Sequence, residues 1–146
     1  MNGPGRFDEK LAQMELFGEL SSHQLRKVSN LGTCVDLAPG WVLTGEGRPG
    51  AEFIIILQGT VEVRAGHQAL ATRGSGDYVG EIALLGNRPR TATVVATTPV
   101  AVEVFSRREF WSLLNEVPGL SDQLHATMTD RLTALEAARP QLTLAS

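Results

Sequence analysis

The chain holds a single cysteine, Cys34, which excludes an internal disulfide; the residue sits in a strand-like run, where a buried thiol is expected. A reducing, cytoplasmic setting agrees with that usage. The three histidines stand apart at His23, His67 and His125, with no HxH pair and no second cysteine, so a metal cofactor is not expected. Neither GxSxG nor HExxH occurs, and no nucleophile with an orienting base comes from neighbouring positions, so the chain reads as non-catalytic. Long apolar runs are missing too. The longest, Phe53 to Leu57, falls far short of the roughly 20 residues that span a bilayer, and Met1 to Lys10 mixes glycine, proline and charge without a secretory address. Basic residues do not prevail: 13 Lys and Arg meet 16 Asp and Glu for a net charge of −3, and their scatter argues against a surface that holds nucleic acid by counterion release.

Glycine is plentiful. At 146 residues and 42% hydrophobic, the chain has material for one core and reads as one domain over residues 1–146. Eleven of its 15 glycines fall between Gly32 and Gly86, while both flanks are glycine-poor and helically patterned. In the N-terminal flank, Leu11, Met14 and Phe17 predict a short helix. Ser21 and Gln24 then have capping-box spacing, with Leu20 and Leu25 as a hydrophobic staple, and open a helix to about residue 31. Thr33 to Leu37, Trp41 to Thr44, Glu52 to Leu57, Thr60 to Ala65 and Ala69 to Thr72 read as strands, and Val100, Val102 and Val104 alternate as a strand should. Short strands with no helix between them favour an antiparallel sandwich or barrel over residues 33–105. Ser106 and Glu109 form a second capping box, and Pro118-Gly119 breaks the chain direction. A last helix carries Leu120, Leu124, Met128, Leu132 and Leu135 on one side and is expected to end by Pro140. That stripe serves either core packing or a homodimer.

Gly45, Gly47 and Gly50 fit the dinucleotide pattern GxGxxG, but the pattern works only when a helix follows. Glu52 to Leu57 is strand, so these are turn glycines. The informative stretch is Tyr78 to Val94. Gly80 permits close backbone approach, Glu81 to Leu85 is one helical turn stopped by Gly86, and the free N–H groups at its start suit an anion. Arg90, held by Pro89 at the mouth of a strand, returns to the same spot with a permanently charged fork, and Thr91 adds a hydroxyl. Singly, Glu81 reads as a solvated first-turn acid and Arg90 as a surface residue. Jointly they describe a phosphate site with an acid beside it, and that acid needs a neutral hydroxyl to bind and a nearby cation to offset it.

Gly80-Glu81-Ile82-Ala83-Leu84-Leu85 followed by Pro89-Arg90-Thr91-Ala92 resembles the phosphate-binding cassette of the cyclic-nucleotide-binding domain family, here spanning residues 80–92. Gly59-Thr-Val-Glu-Val63 resembles the family's G-x-V-x-V strand, with further turn glycines at Gly40, Gly47 and Gly76. The resemblance implies a mainly β fold: an antiparallel β-roll or jelly roll with N-terminal helices at about 8–31, and helices at about 106–138 of which the last is a lid. It implies that Arg90 and the amides of Ile82 and Ala83 hold a cyclic phosphate, that Glu81 and Gly80 hold the ribose, and that Thr91 assists. Val63, Leu70 and Val79 would pack near the base, or serve as ordinary core. On the last helix Arg131 would reach Glu81, as in activator-type relatives, or stand as a solvated helix arginine. The implied function is a cyclic-nucleotide sensor, for cyclic AMP before cyclic GMP, although Thr91 also suits guanine. The hinge of its lid would lie near Val117 to Leu120. Its output would pass to an unknown effector protein or domain, for catabolite activators carry a helix-turn-helix after the last helix, and this sequence runs to Ser146 without one. The alternatives are a regulatory fragment of a larger effector, such as a transcription regulator, an acetyltransferase or a kinase, and a scaffold whose pocket is empty or holds another anion.

Overall fold

The computed structural model describes residues 10–47, 52–86 and 90–145, with side chains to residue 137; Pro49, Gly50 and Pro89 lie outside the described residues. The capping boxes start two helices as the spacing predicts. Ser21 and Gln24 exchange hydrogen bonds of 3.1 and 3.0 Å at the start of α1 (Ser22–Leu31), and Ser106 and Glu109 exchange bonds of 3.2 and 2.8 Å at the start of α3 (Arg107–Glu116). Each such cap is worth about 1 kcal/mol.

Between them lie β1 (Thr33–Leu37), β2 (Val42–Thr44), β3 (Glu52–Gln58), β4 (Val61–Ala65), β5 (Gln68–Arg73), β6 (Tyr78–Val79), the short helix α2 (Glu81–Leu85), β7 (Thr93–Ala96) and β8 (Val100–Ser106). Two four-stranded sheets form, in the orders β1-β8-β3-β6 and β2-β7-β4-β5, with every pairing antiparallel. This is the antiparallel two-sheet architecture with flanking helices that the glycine punctuation predicts, and the β-roll that the resemblance implies.

The run Phe53 to Leu57 is buried on both sides because β3 separates two cores. Ile54 and Ile56 join Val61, Val79, Val94, Val100 and Val102 between the sheets. Phe53, Ile55 and Leu57 point the other way and meet Leu25, Val28, Phe105, Phe110, Leu120 and Leu124 under the helices. Gly59 makes the β3–β4 turn possible: its φ is +96°, and a Cβ there would lie 2.4 Å from the Pro99 carbonyl oxygen.

Three expectations need correction. Leu11, Met14 and Phe17 are buried together, but on a helical turn at residues 10–12 followed by a 3-10 turn at Glu15–Phe17 rather than on one helix. Apolar spacing alone does not separate those two geometries. Cys34 is exposed, because β1 is an edge strand paired only with β8. Partial burial, with Glu103 opposite and Asp36 nearby, pushes its thiol up to about 11. The last helix, α4, spans Leu120–Ala145 and continues through Pro140, which removes one donor from the ladder without ending it. Its apolar stripe also divides: Leu120 and Leu124 are buried, whereas Met128, Leu132 and Leu135 are half-exposed. Among the described residues no helix is long and apolar enough to cross a membrane.

Phe53 is fully buried and touches the rings of Tyr78, Phe105 and Phe110 at centroid distances of 5.5, 6.0 and 5.0 Å. Phe53→Ala should therefore cost about 3–5 kcal/mol in chemical denaturation; a loss below about 1 kcal/mol would mean that the helical layer is not packed as described.

Candidate functional site

Strand β6 pairs with β3 through Ile54 with Val79 and Ile55 with Tyr78, and it delivers the chain to Gly80 at the edge of the sheet. There the backbone turns with φ +103°, and a Cβ would lie 2.4 Å from the Glu52 carbonyl oxygen. Only glycine makes this turn without displacing β3. The turn launches α2 inward, so that Glu81 is 1% exposed and Ile82, Ala83 and Leu84 are buried. Gly86 stops the helix, its N–H donating to the Ile82 carbonyl at 2.9 Å. The first-turn amides of Ile82 and Ala83 have no carbonyl one turn back to accept from them.

Arg90 returns to this turn from the other side. Its Nη1 donates to the Gly80 carbonyl at 3.2 Å and its Nη2 to the Glu52 carbonyl at 2.7 Å, which ties the cassette to β3. Burial pushes its guanidinium below the usual arginine range, opposed by Glu52 and Glu81, yet an arginine stays charged in a protein. Five N–H groups in a fork leave donors over for a bound anion.

Every residue singled out from the sequence lines one cavity of about 1210 Å³: Gly80, Glu81, Ile82, Ala83, Arg90 and Thr91 at the cassette; Val63, Leu70 and Val79 on the strands; and Arg131 on α4. Small-molecule sites usually measure about 300–1,000 Å³, so a nucleotide-sized ligand fits with room for water. The cassette end carries Arg90 beside Glu81, and the strand wall presents Val63, Leu70 and Val79.

Arg131 closes the cavity from above. Its Nη1 donates to both carboxylate oxygens of Glu81 at 2.8 Å, and its Nη2 lies 3.0 Å from Asp77 Oδ1. The guanidinium stacks 4.9 Å from the centre of the Tyr78 ring, and the Tyr78 hydroxyl donates to Thr127 Oγ1 at 2.8 Å. This is the cation that a buried Glu81 requires. Burial still holds the Glu81 carboxyl above the ordinary range, with Arg131 pulling it back down. Sequence reasoning missed Asp77, Tyr78, Thr127 and Arg73 as cavity residues. Asp77 follows Gly74-Ser75-Gly76 and reads as turn chemistry, and Thr127 lies 49 positions from its partner. Among the described residues no group of three His, Cys, Asp or Glu side chains could hold a metal ion.

Arg131→Ala leaves Glu81 buried without that cation and should cost about 3 kcal/mol near pH 8. The native chain binds the Glu81 proton more tightly than the unfolded chain does. At low pH Glu81 is protonated in both states and no charge is buried, and stability falls as pH rises through the raised native value. Removing Arg131 raises that value further, so the gap between variant and wild type should shrink near pH 5. Denaturation at both pH values checks this, and a gap that does not depend on pH would contradict it.

A family model described as "Cyclic nucleotide-binding domain" matches residues 34–117. The cAMP-dependent protein kinase regulatory subunit of Mycosarcoma maydis is 33% identical over 142 residues, 90% of this chain and 27% of its own length. The structure of cAMP-bound PfPKA-R (141–441) superposes with a TM-score of 0.83 at 25% identity, covering 92% of this chain and 46% of that one. A regulatory subunit of a cAMP-independent protein kinase A from Trypanosoma brucei superposes with a TM-score of 0.76 at 26% identity, covering 88% and 48%. The chain spans between 25% and 35% of the length of the curated relatives it matches. With the cassette in place, the β-roll matched over most of its length and such relatives at this identity, the chain belongs to the cyclic-nucleotide-binding domain family.

Proposed function

We propose that this chain is a non-catalytic sensor whose cavity captures cyclic AMP, with cyclic GMP the weaker ligand, and passes occupancy to an effector through α4. The observation that carries the reading is a pair of opposite charges brought together at one short turn. A carboxylate that is 1% exposed and a guanidinium that is 8% exposed flank the free amides of α2 inside one cavity. A cyclic phosphate satisfies Arg90 and the amides of Ile82 and Ala83, with Thr91 adding a hydroxyl. A ribose 2′-hydroxyl, neutral and a donor, meets Glu81 beside Gly80, where a second anion would be repelled. The base lies against Val63, Leu70 and Val79.

Movement of α4 is the output. Gly119, with φ +81° and open space around it, is a pivot between the buried Val117 and Leu120. The ligand shifts α4 only insofar as it binds the docked form more tightly than the undocked one. Half-exposed Met128 and Leu132 give α4 a surface for a second copy or an effector. The relatives' greater length favours a larger effector that holds this domain as its cytoplasmic sensor. Direct contact with nucleic acid or membrane has no part in this reading. A second reading, a cavity serving another ligand, draws on the likeness to the cAMP-independent T. brucei regulatory subunit.

Calorimetric titration with cyclic AMP and cyclic GMP tests the proposal. Micromolar or tighter binding of cyclic AMP, weakened by about 1.5–3 kcal/mol in Arg90→Ala, is expected. A folded chain that binds neither nucleotide would refute the sensor reading.

A further inference from the structure

Arg131 does not rest on Glu81 alone. Its second nitrogen is held by Asp77 at 3.0 Å, from the turn that precedes β6, whereas Glu81 belongs to α2. Asp77 is fixed on every side. Its N–H donates to the Gly74 carbonyl at 3.0 Å, its carbonyl accepts from the Ile56 N–H at 2.9 Å, and its Oδ1 accepts from the Tyr78 N–H at 2.8 Å. Its other oxygen faces Arg73 Nη1 on β5 at 3.7 Å. The next residue, Tyr78, supplies an independent tie to α4 through Thr127. Two consecutive barrel residues therefore grip α4 without any help from Glu81.

This arrangement matters when a ligand arrives. Both Glu81 oxygens accept from the same nitrogen of Arg131, so a hydroxyl that donates to Glu81 shares its acceptor oxygens with that nitrogen. A guanidinium held by Glu81 alone would then be held less firmly beside a carboxylate that is 1% exposed. With Nη2 bound to Asp77, the guanidinium keeps its place while Glu81 receives the hydroxyl. We propose that Asp77 is a positioning residue: through Arg131 it keeps the cation beside Glu81 while Glu81 receives a sugar hydroxyl, and it helps hold α4 against the β-roll. The proposal rests on the sensor reading for its ligand and on the contacts of Arg131 and Tyr78 for its hold on α4.

A merely structural role makes a different forecast. Asp77 is 31% exposed at its side chain, and ion pairs at such positions contribute little to global stability, so a stabilising role alone would leave recognition of a particular hydroxyl untouched.

The experiment uses the full chain with Asp77→Asn and Asp77→Glu. Affinities for cyclic AMP and for 2′-deoxy cyclic AMP are measured by calorimetry, and amide hydrogen exchange is followed in the ligand-free proteins. Asp77→Asn should weaken cyclic AMP about tenfold and change the 2′-deoxy analogue by less than about twofold, and Asp77→Glu should recover part of the loss. Exchange over residues 120–135 should accelerate in Asp77→Asn while the strands keep their protection. Equal loss for both nucleotides, or no loss for either, would overturn the positioning role. Should the wild-type chain bind neither nucleotide, the sensor reading falls separately, and exchange alone judges the hold on α4: unchanged protection of α4 in Asp77→Asn overturns it.

Discussion

The constraint on which the site depends is the burial of the Glu81 carboxylate. A charge at 1% exposure is strongly penalised unless cations and donors surround it. Meeting that demand accounts for much of the surrounding structure. Gly80 must be glycine so that the chain can turn inward against β3, and Arg131 must come from α4, 50 positions away, because the cassette's own Arg90 is committed to the Gly80 and Glu52 carbonyls. One electrostatic requirement thereby joins a five-residue helix to the C-terminal helix across the pocket.

The two cores give this coupling a rigid base. β3 contributes Ile54 and Ile56 to the space between the sheets and Phe53, Ile55 and Leu57 to the space under the helices, so its position is set from both sides. Arg90 and Gly80 are both referenced to the Glu52 carbonyl at its start. By contrast, α4 is buried through Leu120 and Leu124 and then held mainly by polar contacts at Thr127 and Arg131. The hydroxyl contact at Thr127 exchanges with water at little net cost, whereas the aromatic layer around Phe53 and the buried Arg131–Glu81 pair do not.

Most of the architecture was legible in the sequence because glycine marks the turns and serine the helix starts. Thr33–Leu37 matches its strand at both ends, and Ser21 and Ser106 cap where their spacing says. Tyr78–Val79 was not legible, since two residues carry no alternation, and Cys34 was misplaced because a strand-like run does not reveal that it lies at an edge. The cassette could be read as local chemistry, with Gly80, Glu81 and Arg90 within 10 positions of one another. The cation for Glu81 could be required but not located: Arg131 came from the family resemblance, and Asp77 had no signal beyond a glycine-rich turn. Contacts between distant segments are decided by packing, which spacing along the chain does not encode.

On the proposed reading, the cavity takes a cyclic nucleotide with its phosphate on the first turn of α2. Backbone amide NMR of the chain titrated with cyclic AMP is the decisive measurement. Saturable shifts are expected that are largest at the amides of Ile82 and Ala83, accompanied by Gly80 and by residues of α4 around Arg131. Shifts that leave Ile82 and Ala83 unmoved while other surfaces respond, or no saturable shifts at all, would contradict it.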